Sequence, residues 1–156
     1  MSAMTRVIGR FPLGVWIAVA AILLLLMAWE MQAYSLINWD HAVELGFQNE
    51  RFSGGPAERA WAKESWGLAV ADLLWPLPIG FAALIGIFRK RWYGLVAGSM
   101  ELAIGVYFPL FFALQRWSTF RGTAITAICL WLVPSLLGLV GLWLNRDTFR
   151  NHRTNT

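Results

Sequence analysis

The segment SWGLAVADLLWPLPIGFAALIGIF, residues 65–88, decides how the chain is to be read. It is long enough to cross a bilayer as a helix, since a hydrocarbon core of about 30 Å takes roughly 20 helical residues. Yet it carries a carboxylate, Asp72, and two prolines, Pro76 and Pro78. Three further stretches of the same kind lie around it: residues 11–29 and 122–145, with no charge, and residues 92–115, with only Glu101. Apolar residues make up 58% of the 156 and charged residues 14%, a balance too apolar for the surface of a soluble domain.

The expected fold is therefore all-α, a four-transmembrane-helix bundle in a single domain over residues 1–156. Its spans are expected at about 11–30, 65–88, 92–115 and 122–145, with an outer loop over 31–64. The uncharged run after Arg10 is longer than the apolar core of a signal peptide, and no small-residue cleavage site follows it, so it reads as an uncleaved helix. Cys129 is the only cysteine, which excludes a disulfide framework or a dithiol redox centre within one chain. The net charge of +4 is scattered around the spans and forms no basic stripe with interleaved aromatics, so no nucleic-acid partner is expected.

Lys and Arg favour cytoplasmic loops. Arg6 and Arg10, the run Arg89-Lys90-Arg91, and Arg146, Arg150 and Arg153 fall on one side of a four-span chain. The cations of the other side are diluted by Asp40, Glu44, Glu50, Glu58 and Glu64. Both termini are thus expected in the cytoplasm of a multi-pass protein, in the plasma membrane of a bacterium or the endoplasmic reticulum of a eukaryote. The preponderance of arginine over lysine points toward a GC-rich bacterial genome. In the outer loop, Asn38 or Asp40 is placed to cap a short helix that turns Trp39, Val43 and Phe47 to one side. After the breaker SGGP, Pro56 opens a second helix, giving two short interfacial helices.

A carboxylate near the bilayer centre costs about 2.5 to 3.5 kcal/mol on insertion scales, so Asp72 and Glu101 are expected to face protein or water. Gly94, Gly98 and Gly105 recur at helical spacing with Glu101, which sets that acid on a small-residue stripe suited to close helix packing. Asp72 shares a helical face with Ala69, Trp75, Pro76 and Ile79. Pro76 lacks the amide that would bond the carbonyl of Asp72, so the backbone there offers a free acceptor. Pro109 and Pro134 interrupt the third and fourth spans, and kinks of this kind can open a cavity. Glu30 closes the first span at the outer boundary. Trp75, Tyr107, Phe108, Phe111 and Trp131 are available to line the space between the acids.

His41 and Glu44 lie one turn apart, but the second histidine, His152, is in the tail, so no metal-ligand set assembles and no cofactor is called for. The serines have no histidine within a span to activate them, which leaves nucleophilic catalysis without support.

Four runs together resemble the EXPERA family of emopamil-binding sterol isomerases and sigma-type amine and sterol receptors. They are Glu30-Met31-Gln32-Ala33, Asp72-Leu73-Leu74-Trp75-Pro76-Leu77-Pro78, the mid-span Glu101, and Leu130-Trp131-Leu132-Val133-Pro134. The resemblance implies four helices, cytoplasmic termini, a homodimer, and an intramembrane cavity for a sterol-like lipid or cationic amphiphile. It implies that Asp72 faces a ligand amine, and Glu30, Gln32, Trp75, Glu101, Tyr107, Phe108 and Trp131 are expected at the ligand with it. In the enzyme version Asp72 and Glu101 act as acid and base in double-bond isomerisation. The intramembrane histidine of the isomerase branch has no counterpart here, so binding without turnover stays open beside catalysis. Two readings from other classes are a small proton-coupled transporter, against which the missing internal repeat counts, and an accessory subunit of a membrane complex.

Overall fold

The computed structural model describes residues 3–149; Arg150 and Arg153, to which the topology reading appeals, and His152, named in the metal reading, lie outside them. A short antiparallel pair, β1 (Val7–Ile8) and β2 (Phe11–Pro12), opens the fold and turns at Gly9 and Arg10, with Gly9 at a φ of +60°. Seven α-helical segments follow: α1 (Leu13–Ile37), α2 (Trp39–Glu44), α3 (Pro56–Leu74), α4 (Pro76–Phe88), α5 (Trp92–Arg116), α6 (Arg121–Ala127) and α7 (Val133–Leu144). Four helical stretches, Leu13–Ile37, Pro56–Phe88, Trp92–Arg116 and Arg121–Leu144, are long and apolar enough to cross a membrane. The chain is an all-α, multi-pass integral membrane protein.

Three boundaries differ from the sequence reading. The first helix does not close at Glu30 but runs on to Ile37, because nothing between Glu30 and Asn38 breaks it. The second loop helix is not a separate interfacial element: α3 starts at Pro56 and continues without interruption into the second span. Its start is well specified, with Gly55 extended, Pro56 at the first helical position and Glu58 in the first turn. At 1.5 Å per residue the stretch Pro56–Phe88 is far longer than a hydrocarbon core of about 30 Å, so the polar first turns of α3 project beyond it. Third, the second span is broken at Trp75. The described chain forms two compact units.

One unit takes the residues up to Leu25 and those from Ile79 onward. Its organising helix is α5, whose buried face runs through Gly94, Gly98, Glu101, Gly105, Pro109 and Ala113. A β-carbon on Gly98 would sit 3.0 Å from Leu142 and 3.3 Å from Ile87, and one on Gly138 would sit 3.0 Å from the backbone of Ala18. The glycines are there because helices pass too closely for side chains. Asn145, just past α7, donates from Nδ2 to the carbonyls of Gly141 (2.8 Å) and Met4 (3.2 Å), which fastens the N-terminal segment to that helix end. Between α6 and α7 the fourth span widens into a π-helical turn, Ile128–Leu132, where the Val133 amide donates to the Ile128 carbonyl five residues back. Pro134 follows at once and has no amide for the Leu130 carbonyl, which accounts for the irregular hydrogen bonding.

The other unit, Leu26–Pro78, contains the end of α1, α2, the loop and α3. Its core is Trp39 with Ala62 and Ala69, flanked by Leu36, Val43 and Phe52. Helix α2 ends in a left-handed Gly46 (φ +78°), with Gly46 and Phe47 donating to the carbonyls of Val43 and Ala42. Asn38 precedes α2 but makes no side-chain cap; Asp40 instead accepts a hydrogen bond from the Phe52 amide (3.0 Å) and holds the loop.

Candidate functional site

The break in the second span is built by sequence. Pro76 and Pro78 carry no amide hydrogen, so the carbonyls of Asp72 and Leu74, four residues back, lack the donors that a continuous helix would give them. The chain leaves helical geometry at Trp75 (φ −122°, ψ −65°), whose amide still reaches the Ala71 carbonyl at 3.1 Å. A helix C-terminus already concentrates unbonded carbonyls. Here two proline rings add to that deficit.

Asp72 lies three residues after Ala69 and four before Pro76, on the buried face of α3, and is only 8% exposed. Its Oδ2 is enclosed and has no hydrogen-bond partner. The carboxylate and the two carbonyls are all acceptors, gathered within two residues of chain. Such a group favours a bound donor or cation, because a buried acceptor without a partner costs about 1 to 3 kcal/mol and more when charged.

The same unit holds a polar network that sequence reading missed. Gln48, in the loop, donates from Nε2 to Gln32 Oε1 (2.6 Å) and to Ser35 Oγ (3.1 Å), and Ser35 donates to the Met31 carbonyl (2.8 Å). Gln32, expected beside a ligand, is thus engaged in latching the loop onto α1. Glu50, counted in sequence only as a dilution of loop charge, is 3% exposed. Ser65 donates to its Oε2 at 3.5 Å, and Trp39 Nε1 donates to its backbone carbonyl at 2.8 Å. No short-range motif marks Glu50, since its partners come from two different helices. Glu58 Oε1 accepts from the Arg51 amide (2.9 Å) and closes the loop against the first turn of α3.

Glu101 is fully buried in α5, one turn from Gly98 and Gly105, as the glycine spacing indicated. A β-carbon on Gly105 would strike Ser135 Oγ and come within 2.7 Å of Leu25, so Glu101 occupies a tightly packed seam. Glu30 is exposed. Trp75 is 63% exposed, at the residue where the backbone leaves helical geometry. Tyr107 is 68% exposed and stacks on Phe111 (6.3 Å, 13°), since two residues of helix beyond Gly105 turn it to the opposite side. Phe108 and Trp131 are half-buried, Trp131 within the π-helical turn. His41 Nδ1 lies 3.3 Å from Glu44 Oε2, and Arg51 is 3.6 Å from Glu44, all at the surface. Among the described residues no group of three or more His, Cys, Asp or Glu is placed to hold a metal.

Comparison with models of known families, with curated proteins and with solved structures yields no match for this chain.

Proposed function

We propose that this membrane protein binds an amphiphilic, sterol-like ligand through a cationic or hydrogen-bond-donating group, in the manner of an EXPERA receptor, with Asp72 as the polar anchor. The observation that carries this reading is the enclosed, unpartnered Oδ2 of Asp72 at a helix break where Pro76 and Pro78 withhold the amides that would bond the carbonyls of Asp72 and Leu74. A protonated amine answers that deficit with up to three N–H donors and a charge. The order of the four runs around Glu30, Asp72, Glu101 and Trp131 supports the same ligand class.

The test is equilibrium binding, in lipid nanodiscs, of a rigid polycyclic amine and of the same ring system without its amine. Asp72→Asn keeps the shape and removes the charge. The expected result is a loss of at least about tenfold in amine affinity, with the neutral ring system unaffected. Equal amine binding by wild type and variant overturns the assignment.

A further inference from the structure

The N-terminal hairpin and the turn between α4 and α5 form a second built feature, unrelated to Asp72. Phe11 is wholly buried and packs edge-on against Trp16 (5.6 Å) and Phe88 (6.1 Å). The Leu13 amide bonds the Arg6 carbonyl (2.8 Å) and Trp16 Nε1 the Ile8 carbonyl (2.9 Å), so the hairpin is clamped to the first turns of α1. Two cations rest on the one ring: the Arg10 guanidinium at 5.6 Å and the Lys90 ammonium at 5.2 Å from its centroid.

Lys90 holds the left-handed position that closes α4. Its amide bonds the Ile87 carbonyl and that of Arg91 the Gly86 carbonyl, both at 2.9 Å, and its φ is +52°. Glycine suits that position best, as Gly46 shows at the end of α2. Here a long cation occupies it, with Arg89 and Arg91 on either side. Arg146 belongs to the same end of the unit, since the adjacent Asn145 is bonded to Met4, and its guanidinium rests 5.4 Å from the Trp143 ring. Trp92, Tyr93 and Trp143 are exposed around this end, as rings at a lipid headgroup level are. Among the described residues no carboxylate pairs with Arg10, Arg89, Lys90 or Arg91, and Asp147 is the only acid at this end.

We propose that the clasp formed by Arg10 and Lys90 on Phe11, with Arg89 and Arg91, binds the phosphate headgroup of an anionic phospholipid in the adjoining leaflet. Gathering like charges around one ring is unfavourable until an anion lies between them, and at a membrane boundary the anion at hand is a lipid phosphate. The aromatic rim fixes the depth of the site at the headgroup layer.

The experiment is thermal melting of the full chain in a neutral detergent, with phosphatidylglycerol or phosphatidylcholine added to the micelles. Phosphatidylglycerol should raise the melting temperature of the wild type by several degrees and phosphatidylcholine should not; high salt should shrink the gain. Arg10→Gln with Lys90→Gly, in which glycine preserves the backbone of the turn, should abolish it. Arg89→Gln with Arg91→Gln, which leaves the ring contacts in place, should reduce it and serves as the readout if the first variant does not fold. Arg59→Gln with Arg121→Gln removes two cations elsewhere and should retain the gain. A gain that survives both clasp variants, or that vanishes equally in the control, overturns the proposal. So does an equal gain from inorganic phosphate at matched ionic strength, which would make the ligand a free anion.

Discussion

Gly14 and Gly141 meet main chain to main chain: a β-carbon on Gly14 would stand 2.8 Å from the Gly141 α-carbon and 2.8 Å from Asn145 Nδ2. Backbone cannot move aside as a flexible side chain can. Gly14→Ala is therefore expected to lower stability by about 1 to 3 kcal/mol, the usual cost of overpacking a tight interior. Thermal melting in detergent measures it. Gly122→Ala is the control, since nothing lies within 4 Å of the corresponding position there.

Trp39 ties the loop to the unit that surrounds it through the bond from Nε1 to the Glu50 carbonyl. Trp39→Phe keeps most of the apolar contact with Ala62 and Phe52 but leaves that carbonyl without its donor. The expected loss is about 1 to 3 kcal/mol, felt chiefly by the loop. Faster amide exchange over residues 48–54, with α5 unchanged, is the signature to look for.

Gln48 bridges to both Gln32 and Ser35. Gln48→Ala should release the loop from α1 at a cost of about 1 kcal/mol for the lost bonds, plus the exposure of two polar groups. Limited proteolysis should cut the variant in the loop sooner than the wild type. Unchanged cleavage would show that the latch contributes nothing to loop closure.

Pro76 and Pro78 withhold amides from Asp72 and Leu74. Replacing both by alanine supplies them, and the new amide at position 76 should become protected against hydrogen exchange as the helix heals. Amine binding should then weaken, because the carbonyls beside Asp72 would be occupied. A variant that gains protection yet binds as before would leave the carboxylate as the sole anchor.

The spans and the inward direction of Glu101 were legible in sequence, because both rest on periodicity: long uncharged runs, and glycines at 94, 98 and 105 in step with the acid. The burial of Asp72 was legible for the same reason, while the outward position of Trp75 was not. A helical wheel presumes one continuous phase, and the backbone at Trp75 breaks it. Glu50 was hidden for a different reason: its environment comes from Trp39 and Ser65, eleven and fifteen residues away. Contacts at that range follow from how α2 and α3 fold against each other, not from any local pattern.

The wide turn at Ile128–Leu132 fits one residue more than an ordinary turn would take. Shortening the chain by a single amino acid there could convert it to regular helix and leave the faces above and below in their present alignment. Anywhere else in the same span, such a deletion would rotate everything beyond it by about 100° and carry Gly138 and Gly141 away from the helices they accommodate. The fourth span thus has one place where its length is negotiable.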